Sequence, residues 1–298
     1  MTSDHWVPET ELLFKTACGH YDNADYEKAA TLFARLLAED AGVYGSQDTE
    51  LWLAACYVEQ WQWARASMLL ERLIEQFHER EEPISYAQAV SLAGRCKLQT
   101  GSFQDAERLL AEFEGYAHIL LQNDQTWMLY EGRVDRARVQ VALGKSEEAL
   151  KTFDLAESGV PASAMLPVTK TILDYERARA LHYLGDHQRA IQILETIDPH
   201  LFHDLSRREF WLLLVRCQEW IKEHEKALTA FKTLEALGIP DSLKAEAHHW
   251  AGRACYYLGQ GSESLRHFQE STKCPSDIHW LAESNVGYLE QLKMAGYE

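Results

Sequence analysis

Five arginines stand at one register of this chain. Arg95, Arg138, Arg179, Arg216 and Arg253 directly follow Gly94, Ala137, Ala178, Val215 and Gly252. A guanidinium is permanently charged and presents a planar fork of donors, which suits a carboxylate or a phosphate. Such a column, in a chain of formal charge −17, raises two chemistries: capture of an external anion, or an internal ladder of ion pairs. Asp135 with Arg138, Glu176 with Arg179 and Arg216 with Glu219 are spaced i,i+3. Such pairs stabilise a helix by only about 0.2 to 0.5 kcal/mol each. The residues alone leave both readings open.

Other chemistries find less support. The chain has 13 histidines, and His20, His200-x-x-His203 and His248-His249 are the places where a metal would be sought. None sits in a metal-ligand motif, and adjacent helical residues point about 100° apart, so no metal site and no cofactor are expected. Cysteines 18, 56, 96, 217, 255 and 274 form no C-x-x-C pair and keep no fixed spacing to histidine, which reads as reduced thiols filling close helix contacts. No Ser/His/Asp order or paired-carboxylate constellation stands out. The Gly-Lys-Ser at 144–146 lacks the preceding glycine and strand of a phosphate loop. No catalytic residue is assigned, and an enzyme is not expected.

The elements that position the arginines repeat. "DYEKAATLF", "QWARASMLL", "SFQDAERLL", "KSEEALKTF", "DHQRAIQIL", "EHEKALTAF" and "GSESLRHF" align on Ala29, Ala66, Ala106, Ala149, Ala190, Ala227 and Ser264. Twelve residues earlier runs a second, mostly small column, Ala17, Ala54, Gly94, Ala137, Ala178, Val215 and Gly252; four residues after the first stand Phe33, Leu70, Leu110, Phe153, Leu194, Phe231 and Phe268. Two antiparallel helices approach to about 8 Å only where side chains are small, and a large apolar residue then fills the groove beside the contact. Gly101, Gly144, Gly185 and Gly259 fall between the paired helices, where a left-handed C-cap is required. Each unit is therefore an αα-hairpin. Seven begin near 10, 47, 87, 130, 171, 208 and 245, and an amphipathic helix at about 277–294 caps the last. Alternating strand patterns are absent, so the fold class is all-α and residues 1–298 are read as one solenoid.

These columns resemble the tetratricopeptide repeat over nearly the whole length, as in "AGRACYYLGQGSESLRHF" and "ALGKSEEALKTFDLAESGVP". The periods depart from the family's 34 residues, being 37, 40, 43, 41, 37 and 37. The surplus is expected around 114 to 128 and in the Pro161/Pro167 loop. The first Trp of the motif is mostly missing, and Trp61 replaces a turn glycine. The resemblance implies a right-handed superhelix whose first helices line a concave groove for peptides. The arginines lie about 100° round from the packed stripe, on that face. Steps of three and four along it reach Tyr175 and His182 from Arg179, Trp220 from Arg216, and His249 and Tyr256 from Arg253. With the five arginines these are the candidate groove residues.

The expected function is a scaffold or adaptor binding an acidic or C-terminal segment of another protein, with hydrophobic anchors. One alternative is an anion, nucleotide or RNA sensor using the same arginines. The other is a structural assembly subunit or homo-oligomer whose groove is empty or filled by residues 1–9, Trp6 included. Residues 1–86 carry −10 of the charge, so the surface repels nucleic acid and anionic lipid at long range. The acidic start lacks an apolar signal region, and no apolar stretch reaches the ~20 residues needed to span a bilayer, so a cytoplasmic protein is expected.

Overall fold

A computed structural model of the chain describes residues 8–39, 46–274 and 278–297. Most of the N-terminal segment considered as a groove filler lies outside them. The described residues contain sixteen α-helices, one 3-10 turn and no strand. They divide into two compact units at Ala162/Ser163.

The first unit stacks four hairpins: α1 (Pro8–Asp22) with α2 (Tyr26–Ala38), α3 (Ser46–Glu59) with α4 (Trp63–Glu79), α5 (Pro83–Gln99) with α6 (Phe103–Glu114), and, after the short α7 (Ala117–Gln122), α8 (Thr126–Ala142) with α9 (Ser146–Ser158). The second holds three hairpins and a cap: α10 (Pro167–Leu184) with α11 (His187–Leu194), α12 (Asp204–Trp220) with α13 (His224–Ala236), α14 (Asp241–Tyr257) with α15 (Gly261–Lys273), and α16 (His279–Met294). Helix α7 takes up the longest period, and a 3-10 turn at Pro199–Leu201 precedes α12.

The repeated columns are the core. All seven residues of the Ala29-to-Ser264 column are fully buried, and Phe33, Leu70, Leu110, Phe153 and Phe268 beside them are equally inaccessible. Where the facing small column is glycine, the large residue of the same hairpin occupies its side-chain space. A Cβ on Gly94 would stand 2.6 Å from Leu110 Cγ, and one on Gly252 would stand 2.9 Å from Phe268 Cε1. In the last hairpin Ser264 replaces alanine without stranding its hydroxyl, because Oγ donates to the Gly252 carbonyl at 2.9 Å. The two small columns thus touch, and that contact sets the helix separation.

Gly132 marks a second close approach, between hairpins. A Cβ there would fall 2.2 Å from Phe113 Cε1, and the Phe113 ring is fully buried with nowhere to go. Gly132→Ala is expected to lose about 1 to 3 kcal/mol by overpacking. Gly287→Ala, on α16 with nothing within 4 Å, should be neutral or gain up to about 1 kcal/mol. Urea unfolding of the two variants checks the pair, and equal midpoints would refute the close packing.

The hairpin turns share one backbone device. Gly101, Gly144, Gly185 and Gly259 adopt positive φ, and Ala24, Trp61 and Lys222 do so in the hairpins without glycine. Trp61, at φ 60° and 78% exposed, bears a conformational cost on the order of 1 kcal/mol with its indole in solvent. Trp63, two residues on, instead packs against the core.

Candidate functional site

The arginine register lies on the first helices, as the spacing requires, but its members differ between the units. In the first unit Arg95, on α5, is engaged at all three guanidinium nitrogens. Its Nε donates to Asp135 Oδ2 at 2.6 Å, Nη1 to Glu59 Oε1 at 3.2 Å and Nη2 to Glu131 Oε2 at 3.1 Å. Three first helices, α3, α5 and α8, are thereby clipped together. Asp135, 2% exposed, also accepts from Arg138 Nη1 at 3.1 Å. Asp135 raises the Arg95 pKa further, with Glu131 and Glu59 adding to it. Burial pushes the Glu59 carboxyl up, and Arg95 opposes that shift. This is the internal ladder, not an open anion site.

The second unit is arranged otherwise. Arg179 Nη2 lies 2.8 Å from Glu176 Oε2 on its own helix. Arg216 Nε lies 3.3 Å from Glu246 Oε1 and Arg253 Nε 3.6 Å from Glu219 Oε2, a crossed pair between α12 and α14. The i,i+3 pairing of Arg216 with Glu219 is not formed. Glu219 is buried and its other oxygen meets His224 Nδ1, so it points toward α13 and α14. In all three arginines Nε is buried and makes no hydrogen bond. Aromatic rings flank two of them: Arg216 sits 5.7 Å from the Tyr183 ring, and Arg253 4.8 Å from Trp250 and 5.5 Å from Trp220. Tyr183, Trp220, Tyr257 and Trp280 are exposed, Trp220 by 51%.

Three candidate groove residues turn inward instead. Tyr175, His182 and His249 are buried. Tyr175 meets Phe202 edge-on at 5.5 Å, and His182 Nδ1 lies 3.4 Å from Cys217 Sγ. His249 Nδ1 contacts Asn285 Oδ1 at 2.7 Å, and Asn285 Nδ2 donates to Ser271 Oγ at 2.8 Å, which ties α16 to the last hairpin. The reason is geometric: stepping by three or four from an arginine drifts off the open face onto the flank that packs on the next hairpin. Tyr256 stays partly open, its hydroxyl donating to Gln291 Oε1 at 2.7 Å. The carboxylates that meet Arg95 and Arg216 are Glu59, Glu131, Asp135 and Glu246. Their signal was present, since Glu59 stands four residues past Ala55, which holds the arginine position in the second repeat, and Glu131 and Glu246 stand seven before Arg138 and Arg253.

Burial fixes the protonation of the inward histidines. His182 is lowered to about 3 by burial, with Arg216 and His187 adding to it, and His187 is lowered for the same leading reason. Both imidazoles are neutral at physiological pH. The Cys217 thiol is pushed up to about 12 by burial.

Antiparallel hairpins locked by two small columns, with a charged register on their first helices, define a helical-repeat protein. The tetratricopeptide repeat family model matches residues 20–89, and the rest of the chain continues the same helical-repeat fold. Three solved structures share the fold. A tetratricopeptide repeat protein from Parabacteroides merdae aligns with TM-score 0.55 and 12% identity over 96% of this chain and 98% of that one. NprR in complex with its cognate peptide NprX aligns with TM-score 0.62 and 11% identity over 97% and 84%. The apo form of RapI aligns with TM-score 0.60 and 14% identity over 96% and 87%. At such identities the likeness is one of fold. No curated protein sequence matches the chain. No helix among the described residues is long and apolar enough to cross a membrane.

Proposed function

We propose that this chain is a non-enzymatic protein-interaction scaffold whose second unit takes a segment of another protein that carries a carboxylate and apolar side chains. One observation carries the reading: Arg179, Arg216 and Arg253, each partly exposed, meet a carboxylate at one nitrogen where Arg95 meets three, and the exposed rings of Tyr183 and Trp220 lie against Arg216 and Arg253. A partner carboxylate meeting the accessible side of each guanidinium would add a charge-assisted bond of about 1.5 to 3 kcal/mol. Arginines alone fall short of the roughly 8 kcal/mol of micromolar binding, so the rings must hold apolar side chains. The fold shared with NprR, whose structure contains a peptide, is compatible with this role. Arg95 and Arg138 are left out of the proposed face because they share the buried Asp135 in the network that joins α3, α5 and α8.

Selection of a displayed random-peptide library on the immobilised protein tests the reading. Selected peptides should be enriched in Asp, Glu or a free C-terminal carboxylate next to aromatic or aliphatic residues. Against them Arg216→Gln/Arg253→Gln, with an unchanged circular dichroism spectrum, should bind about 10- to 100-fold more weakly. Undiminished binding by the folded double variant, or no enrichment, would sink the proposal.

A further inference from the structure

Outside the arginine face, one cluster of side chains has a geometry that the scaffold role does not use. His182 lies in the last turn of α10, His187 opens α11 across the Gly185-Asp186 turn, and Cys217 comes from α12. One ligand atom from each lies within 4.8 Å of the others, and Cys217 Sγ is 3.4 Å from His182 Nδ1. We propose that His182, His187 and Cys217 form a binding site for one thiophilic d10 metal ion, Zn2+ or Cu+.

One of the three ligand–ligand distances already fits an ion, and the other two, at most 4.8 Å, must close by about 1 Å at most. With metal–sulfur near 2.3 Å and metal–nitrogen near 2.0 to 2.1 Å, two ligand atoms of a tetrahedral site stand about 3.5 Å apart; the sulfur–nitrogen distance is already there. His187 Nδ1 is a buried ring nitrogen with no hydrogen bond, so the cluster holds a donor atom that nothing else engages. The rings are also held in place. His187 stacks on Trp220 with centroids 5.5 Å apart and 10° between planes, and His182 packs against Tyr183 at 5.4 Å. Fixing a ligating imidazole by its neighbours is what tightens a metal site.

Two imidazoles and a thiolate are a donor set for Zn2+ or copper and not for Mg2+ or Ca2+. On binding, the metal–sulfur bond replaces the S–H bond and the proton leaves to solvent, so the ion gains one unit of negative charge from its ligands. Arg216 next to Cys217 opposes a cation here, and Glu246, 3.3 Å from its Nε, offsets it. Three protein ligands leave a fourth position for water or an outside donor, as in zinc sites that stay open.

The test is titration of the chelator-stripped, reduced full chain with Co2+, Zn2+ and Cu+ separately. Co2+ should bind at one equivalent with a thiolate-to-cobalt charge-transfer band and tetrahedral d–d bands, and Zn2+ should displace it. Uptake of Cu+ with no Co2+ or Zn2+ uptake assigns the copper arm; the reverse assigns zinc. Cys217→Ser and His187→Gln should each weaken binding at least about 100-fold, more than loss of a supporting contact does. His187 begins a helix and is only partly buried, so its variant keeps the test alive if the cysteine variant fails to fold. Failure of all three ions to bind, or uptake unchanged in folded His187→Gln, overturns the site and leaves a buried S–H···N hydrogen bond in its place.

Discussion

Acidification from about pH 6.5 toward 4 should loosen the last hairpin and its cap. His249 is completely buried, its Nδ1 bonded to Asn285 Oδ1 and its Nε2 enclosed without a hydrogen bond among Trp250, Phe268, Trp280 and Tyr288. Burial lowers its pKa to about 4; the Asn285 bond works against that shift and Arg253 adds to it. His267 is likewise lowered to about 4, first by burial, then by Arg266 and His248, against Glu263 and Glu270. Arg266 can only donate, so His267 Nε2 accepts from it at 3.3 Å and Nδ1–H is directed at His248 Nδ1, 3.0 Å away. A folded pKa below the unfolded ~6.5 means that the unfolded chain binds more protons. The stabilisation is complete above about 6.5 and is lost as pH falls through the folded values. Each histidine contributes on the order of 3 kcal/mol, against a typical total of about 5 to 15 kcal/mol.

Tryptophan fluorescence, with Trp250 and Trp280 in the affected region, should report a transition complete near pH 4, together with loss of amide protection in α16. His249→Gln keeps a donor but does not titrate, and should move the midpoint to lower pH with about one proton fewer taken up. A pH profile indifferent to both His249→Gln and His267→Gln would show that burial of these rings does not govern acid stability.

Replacing Asp135 should unfold much of the first unit's margin. Its carboxylate is 2% exposed, takes Arg95 Nε at 2.6 Å on one oxygen and Arg138 Nη1 at 3.1 Å on the other, and is the largest influence on Arg95. Removing one partner of a buried ionic group typically costs about 3 to 5 kcal/mol, because the remaining charge stays desolvated without compensation. Asp135→Leu is expected in that range, at its lower end because Glu59 and Glu131 still reach Arg95. Arg95→Met/Asp135→Leu should recover a large part of the loss, since an apolar pair removes both desolvation penalties. Urea midpoints measure both. A cost for Asp135→Leu below about 1 kcal/mol would reduce the ladder to a surface feature.

The hairpins, their two columns of buried, mostly small residues, the four glycine turns and the capping helix were all legible in the residue order. They depend on the helical period and on side-chain volume at a contact, both local properties. The place of each arginine on the first helix of its hairpin was legible for the same reason. Its partner was legible only for Arg138 and Arg179, which have the i,i+3 acid beside them; Arg216 meets Glu246 and Arg253 meets Glu219. Periodicity gives an angle around one axis and says nothing of the axial offset between neighbouring helices, which core packing decides. The same offset took Tyr175, His182 and His249 into the interior and placed Cys217 against a histidine 35 residues away, a juxtaposition that no spacing motif encodes.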